Sequence, residues 1–254
     1  MSRSLRSVAP WLDVLAIAAW GVLFLKYWLD GKLHLLIHPN YMWLTVAAAI
    51  ALLVLAGLKA WMLIQQARRP SVRGGAPVTQ HLTLFPPGWS SALLLVIAIL
   101  GMVVPPRAFA SQTAIERGIA DTLTVTRVKP QAFRASEKSE DKSLVDWIRT
   151  LTVYPEPDAY TGQKAKVQGF VTYPPHLPNQ YLLISRFVIT CCAADVYPVS
   201  LPVKLSQSRE TYKPDAWLEI QGQMVTETLA GKRQLVIEAK SIKEIPEPKN
   251  PYDY

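Results

Sequence analysis

The 254-residue chain has two cysteines, and they are adjacent: Cys191 and Cys192 in the stretch RFVITCCAADVYPV. Neighbouring thiols can do three kinds of work. One or both can fill a core, because free cysteine is among the most buried residue types. They can close into a vicinal disulfide, which joins Cα atoms only about 3.8 Å apart and is therefore strained and easily reduced. Or they can bind a soft metal, zinc or copper, through their thiolates. Two thiolates need further ligands, and the sequence offers Asp195, close behind the pair, and His176 in YPPHLPNQ upstream. The metal reading therefore gathers Cys191, Cys192, Asp195 and His176.

In a regular strand, side chains alternate between faces. Leu183, Phe187, Ile189 and Cys191 then share an apolar face, and Ile184, Arg186, Val188, Thr190 and Cys192 share the other. The two sulfurs would point apart unless the chain bends at the following AAD. Arg186 is a charge inside this apolar strand, which places it at a surface, paired with an acid or touching a partner. A second pair, His34 and His38 in HLLIHP, has i,i+4 spacing and could share a helix face, although the adjacent Tyr41 and Trp43 favour a membrane-interface position. No hydrolase triad or dinucleotide fingerprint is present. GQKAKVQG lacks the Gly-Lys-Ser/Thr ending of a phosphate loop. No enzymatic activity is expected.

The elements that would position these residues fall into two parts. Half of the residues are apolar, and mean hydropathy is positive at +0.15. Three apolar stretches, 11–29, 41–64 and 89–104, read as membrane spans, since a helix needs roughly 20 residues to cross. Asp13 and Lys26 lie near the ends of the first and are expected to reach the interfaces. The third is short and is closed by Pro105-Pro106. Arg3 and Arg6 precede the first span, and Arg68, Arg69 and Arg73 follow the second, whereas the loop between them carries only Lys32. Basic loops stay cytoplasmic, so three spans put everything after the third outside the cytoplasm, in contact with the plasma (inner) membrane lipid. Ala108-Phe109-Ala110 matches a small-x-small cleavage pattern, but a plain juxtamembrane linker is the preferred reading. The formal charge of +8 is spread around apolar segments without interleaved aromatics, so nucleic-acid binding is not expected.

Residues 107–160 read as a linker, with a candidate strand in IADTLTVTRVKPQAF and a short helix over 143–151 capped by Ser143. Residues 161–254 turn to period two. Ala165, Val167, Gly169 and Val171 share one face, as do Tyr197, Val199, Leu201, Val203 and Leu205. Pro198 and Pro202 suggest that this third strand lies at an edge or bulge. Five strands, with glycine inside the first and fourth and a turn at LAGKR, suit an OB-like five-stranded barrel. A small β-sandwich is the alternative. The fold class is thus an α-helical membrane region joined to a C-terminal all-β domain.

VQGFV, LLISRFVITCCAADVYPVSLPV, AWLEIQGQ and the terminal PYDY, behind apolar N-terminal spans, resemble the YcgQ-like family of membrane proteins, described as permease subunits that accompany a larger YcgR-like multispan permease. The resemblance covers most of the chain, and RFVITCCAAD is its most specific part. It implies partnership with that permease in handling a small solute or metal ion. The expectation is an accessory subunit whose outer domain binds or gates the solute. The alternative is a membrane-anchored thiol protein in redox or metal delivery.

Overall fold

The computed structural model describes residues 3–68, 88–118, 139–175 and 177–254. The chain divides into two compact units, Met1–Arg107 and Ala108–Tyr254.

The first unit is helical. Helix α1 spans Arg3–Leu29, α2 spans Met42–Arg68 and α3 spans Trp89–Val103. The apolar windows Val8–Leu29 and Pro39–Arg68, of 22 and 30 residues, are long enough to cross a membrane. They are only 22% and 11% buried within the protein, whereas the core helix of a water-soluble fold would be mostly covered. The third stretch corrects the expectation of three spans. It yields a helix of 15 residues, which rises about 22 Å against a hydrocarbon core of ~30 Å. Gly88 at φ 86° precedes it and Pro105-Pro106 follow, so it cannot extend. Two helices, not three, are long enough to cross.

Helix α2 runs antiparallel to α1 and packs tightly at Gly21, where a methyl group would sit 2.8 Å from Leu53 Cγ and 3.1 Å from Ala49 O. Helix α3 runs parallel to α1: Trp20 Nε1 donates to Leu94 O (3.1 Å) and Tyr27 Oη to Gly101 O (2.6 Å). Asp13 and Lys26, expected near the interfaces, both form ion pairs. Lys26 pairs with Asp30 at 2.7 Å. Asp13 pairs with Lys59 of α2 at 2.6 Å and accepts a short hydrogen bond from Ser91 of α3. Leaving an ion pair's partner unsatisfied among apolar helices is costly, so the three helices share one polar tie.

The second unit is a six-stranded sheet: β1 Lys164–Thr172, β2 Tyr181–Val188, β3 Tyr197–Lys204, β4 Trp217–Leu229, β5 Lys232–Ile245 and β6 Tyr252–Asp253. Its strand order is β1-β4-β5-β3-β2-β6, and an additional β1–β2 pairing closes the first five into a ring. All neighbours in the ring are antiparallel except β3 and β5, which are parallel. There is one sheet among the described residues, not the two facing sheets of a sandwich. The inward faces predicted for β1 and β3 build a core with Leu182, Ile184, Leu218, Ile220, Met224 and Ile237, and in β3 the opposite face, Pro198, Ser200 and Pro202, is buried as well. β3 meets β5 only at Val203–Ile237 and Lys204–Glu238, so Pro198 and Pro202 interrupt no long ladder on that side. The β4–β5 turn places Ala230 at φ 49° and Gly231 at φ 77°, the twist a two-residue hairpin requires. The sixth strand comes from the terminal PYDY.

Helix α5, Leu144–Val153, covers the ring. Ser143 and Asp146 cap it reciprocally, each side chain accepting from the other's backbone N–H at 3.1 Å. Leu144, Val145, Trp147 and Ile148 are buried against the ring, with the Trp147 ring edge-on to Tyr160. Helix α4, Ser111–Glu116, begins just after Phe109. That ring stacks on Tyr252 and packs against Phe187, and Phe109 N–H donates to Tyr252 Oη. Ala108-Phe109-Ala110 is therefore part of the sheet unit's packing. The strand expected within IADTLTVTRVKPQAF lies outside the described residues from residue 119 onward.

Candidate functional site

β2 ends at Val188, two residues before the CC pair becomes a loop. Ile189 is fully buried and its N–H donates to Asp253 O of β6 at 3.0 Å. Val196 is buried on the far side, where Arg117 Nη1 hydrogen-bonds to its carbonyl. Between these anchors the chain turns outward. The Asp195 carboxylate organises the turn: Oδ2 accepts from Thr190 Oγ1 at 2.7 Å, and Oδ1 accepts from the backbone N–H of Thr190 and of Cys192, both at 3.3 Å. Asp195 N–H in turn donates to Cys192 O at 3.0 Å. Short polar side chains that bond their own loop in this way compete successfully with strand continuation.

The structure corrects the core reading of Cys191: it is exposed, and Cys192 is half-buried. Both thiols are free. Because the strand has ended, the alternation that would part the sulfurs does not apply, and the two thiols interact. Hydrogen bonding to Cys192, then its charge, with a smaller contribution from Asp195, pushes the Cys191 thiol above its ordinary value. Asp195 stands next to the pair, but its oxygens already serve the loop. His176 lies outside the described residues. Among the described residues no three His, Cys, Asp or Glu side chains come together as metal ligands.

Arg186 is half-buried, 3.9 Å from Asp253 of β6, with its guanidinium 5.5 Å from the Trp217 ring centroid. It fastens the tail strand to β2, and Arg149 does the same from α5 by donating to Tyr254 O at 2.6 Å. His34 and His38 do not share an α-helical face. His34 lies in a short 3₁₀ turn, Leu33–Leu35, and His38 caps the next one, Pro39–Tyr41, where its Nδ1 accepts from Asn40 N–H at 3.1 Å and its ring contacts Tyr41.

Two clusters escaped sequence reasoning. One is the Asp13–Lys59–Ser91 tie, whose only sequence signal is that each residue is a polar interruption of an apolar stretch. The other joins three strands: Glu227 on β4 accepts from Tyr181 Oη of β2 and from Lys204 Nζ of β3. Partial burial acts to raise the Glu227 carboxyl, but the hydrogen bonds from Lys204 and Tyr181 and the Lys204 charge outweigh it and hold the group below the ordinary glutamate range. The same bond to Glu227 raises Lys204. Nothing in the spacing of residues 181, 204 and 227 announces the cluster, because it depends on the order of strands around the ring.

A pair of long apolar helices attached to a closed β-sheet with an exposed dithiol loop defines a protein with the features of a membrane-anchored β-domain. The chain belongs to the DUF1980 family: the DUF1980 N-terminal domain matches residues 12–120 and the DUF1980 C-terminal domain matches residues 128–254. No curated protein matches the chain.

Proposed function

We propose that the chain is an accessory subunit of a multispan permease, with a C-terminal domain on the outer face that binds or gates a small solute or metal ion. The observation that carries this reading is Gly57. A glycine inside a helix costs about 1 kcal/mol relative to alanine, and among the described residues nothing beyond its own turn of helix comes within 4 Å of the position its Cβ would occupy. Its small size serves no packing contact among the described residues. An exposed glycine on a long apolar helix is the kind of position that lets a second membrane helix approach closely. The family resemblance to YcgQ-like subunits points to a YcgR-like permease as that neighbour.

The sheet unit is read as an OB-like barrel, supported by the ring order β1-β2-β3-β5-β4 with parallel β3 and β5. An extracytoplasmic position is supported by Arg3 and Arg6 in the first turns of α1 and Arg68 at the end of α2, and by the parallel packing of α3 on α1, which, although α3 is shorter than a bilayer core, leads the chain toward the α1 end remote from the N-terminus. The test is purification of the tagged full chain in mild detergent. A multispan permease should co-purify, and Gly57→Leu should abolish its recovery without lowering the yield or melting temperature of the chain. Recovery unaffected by Gly57→Leu, or no multispan protein with the unaltered chain, would overturn the reading.

A further inference from the structure

We infer that Cys191 and Cys192 form a binding site for a soft monovalent cation, cuprous or silver, held by the two thiolates alone. Three observations lead there. The first is the loop itself. It is fixed at both ends, by Ile189 on Asp253 and by Val196 on Arg117, and internally by Asp195. A pre-ordered loop presents two thiols without an ordering cost on binding. The second is the donor set. Thiolate sulfur selects soft ions. Structural zinc takes four ligands, and among the described residues the donors fall short of that number: Asp195 is engaged by three hydrogen bonds, and no third His, Cys, Asp or Glu joins. Met224, the methionine of the sheet unit, is fully buried in the ring core. A cation content with two sulfur ligands is what this set can satisfy. The third is accessibility: Cys191 is exposed and neither sulfur is engaged in a disulfide.

The step balances without an oxidant or reductant. Two S–H bonds break and two metal–sulfur bonds form. The metal keeps its +1 charge, two protons leave to solvent, and the site carries one net negative charge. Arg117, bonded to the Val196 carbonyl at the far end of the loop, is a cation held on the same segment. Because two protons are released, binding strengthens as pH rises. The inference uses the permease reading only for what the ion would be: cargo or signal. Binding itself depends on this chain alone, so it can succeed where co-purification fails, and the reverse.

The experiment is anaerobic titration of the reduced full chain in detergent with cuprous ion, in competition with a chromophoric cuprous chelator. Silver serves as a redox-inert check and zinc as the contrast. One cuprous ion per chain is expected, with X-ray absorption showing two sulfur neighbours and no nitrogen or oxygen. Cys191→Ser, at an exposed position, should weaken binding at least tenfold with the melting temperature unchanged, and Cys192→Ser should do the same if it folds. Asp195→Asn, which disturbs the loop without removing a ligand, should weaken binding by about 10–100-fold, as loss of supporting groups does at metal sites. His176→Ala should have no effect. The proposal is overturned by stoichiometric zinc binding that depends on the cysteines, by cuprous binding that survives Cys191→Ser/Cys192→Ser, by a loss in His176→Ala as large as in the cysteine variants, or by half an ion per chain.

Discussion

The sharpest test of the closed sheet is Gly169→Ala. Gly169 shares the inward face of β1 with Ala165, Val167 and Val171, next to the seam where β1 meets β2. That seam has only three register pairs, Phe170–Ser185, Val171–Ile184 and Thr172–Leu183. A methyl at Gly169 would lie 2.4 Å from Ser185 O and 3.0 Å from Ile184 Cγ1, where ordinary contact begins at 3.4 Å. The clash is with backbone, so no rotamer change relieves it, and the strands must part by about 1 Å. Overpacking of this kind costs roughly 1–3 kcal/mol, and weakening the seam's hydrogen bonds adds about 1 kcal/mol. A loss of ~3 kcal/mol in a unit of this size corresponds to a fall in melting temperature of about 6–12 °C. Thermal unfolding of the full chain in detergent, followed by circular dichroism, reads that fall. Hydrogen exchange should quicken at Phe170–Thr172 and Leu183–Ser185, with β4–β5 less affected. Gly57→Ala is the control and should be neutral or slightly stabilising. A fall of less than about 2 °C for Gly169→Ala, with unchanged exchange at the seam, would refute the ring closure.

Four further outcomes follow from the same structure. Glu227→Gln should cost about 1–2 kcal/mol at neutral pH, since it removes the charge from a half-buried hydrogen bond to Lys204. Because the folded carboxyl is held low, its contribution is present above the ordinary glutamate range and lost as pH falls through the depressed value; denaturant midpoints measured at about pH 3–7 should flatten in the variant on the acid side. Lys59→Met should leave Asp13 unpaired and destabilise the helices, and adding Asp13→Asn should restore part of the loss; a double-mutant cycle in detergent should give a coupling of about 0.6–1.7 kcal/mol. Cys191, exposed but with its thiol pushed up by Cys192, should react slowly with iodoacetamide at neutral pH and faster as pH rises, and Cys192→Ser should speed the reaction at a given pH, as stopped-time mass spectrometry would record. Phe109→Ala should cost about 1–2 kcal/mol from lost ring packing, and limited proteolysis near Ala110 should accelerate.

Much of the architecture is written in local patterns. Apolar length fixes α1 and α2, because a bilayer demands a set number of helical residues. Ser143 and the 144-147-148 spacing fix the start and buried face of α5. Period-two alternation fixes the inward faces of β1 and β3, and Ala230-Gly231 fixes the hairpin that follows β4. Local pattern misled where a competing neighbour decided the outcome. α3 is apolar, but Gly88 and Pro105-Pro106 bound it too tightly for a span. Asp13 gave no sign of its partners, Lys59 and Ser91, because they are distant in sequence. β2 stopped at Val188, and Cys191 left the core, because Asp195 draws Thr190 and Cys192 into its own turn.

By itself, the sequence determined the two-part division, the apolar anchors, the faces of the strands and the presence of a lone dithiol. Each depends on residues close along the chain or on composition. Only the tertiary structure decided which strands meet, and so whether Glu227 finds Lys204 and Tyr181. It also decided that the tail pairs with β2 and that Asp195 supports the thiols instead of joining them as a ligand. Those outcomes depend on contacts between distant segments, where strand order and hydrogen-bond competition select one partner from several that local sequence leaves open.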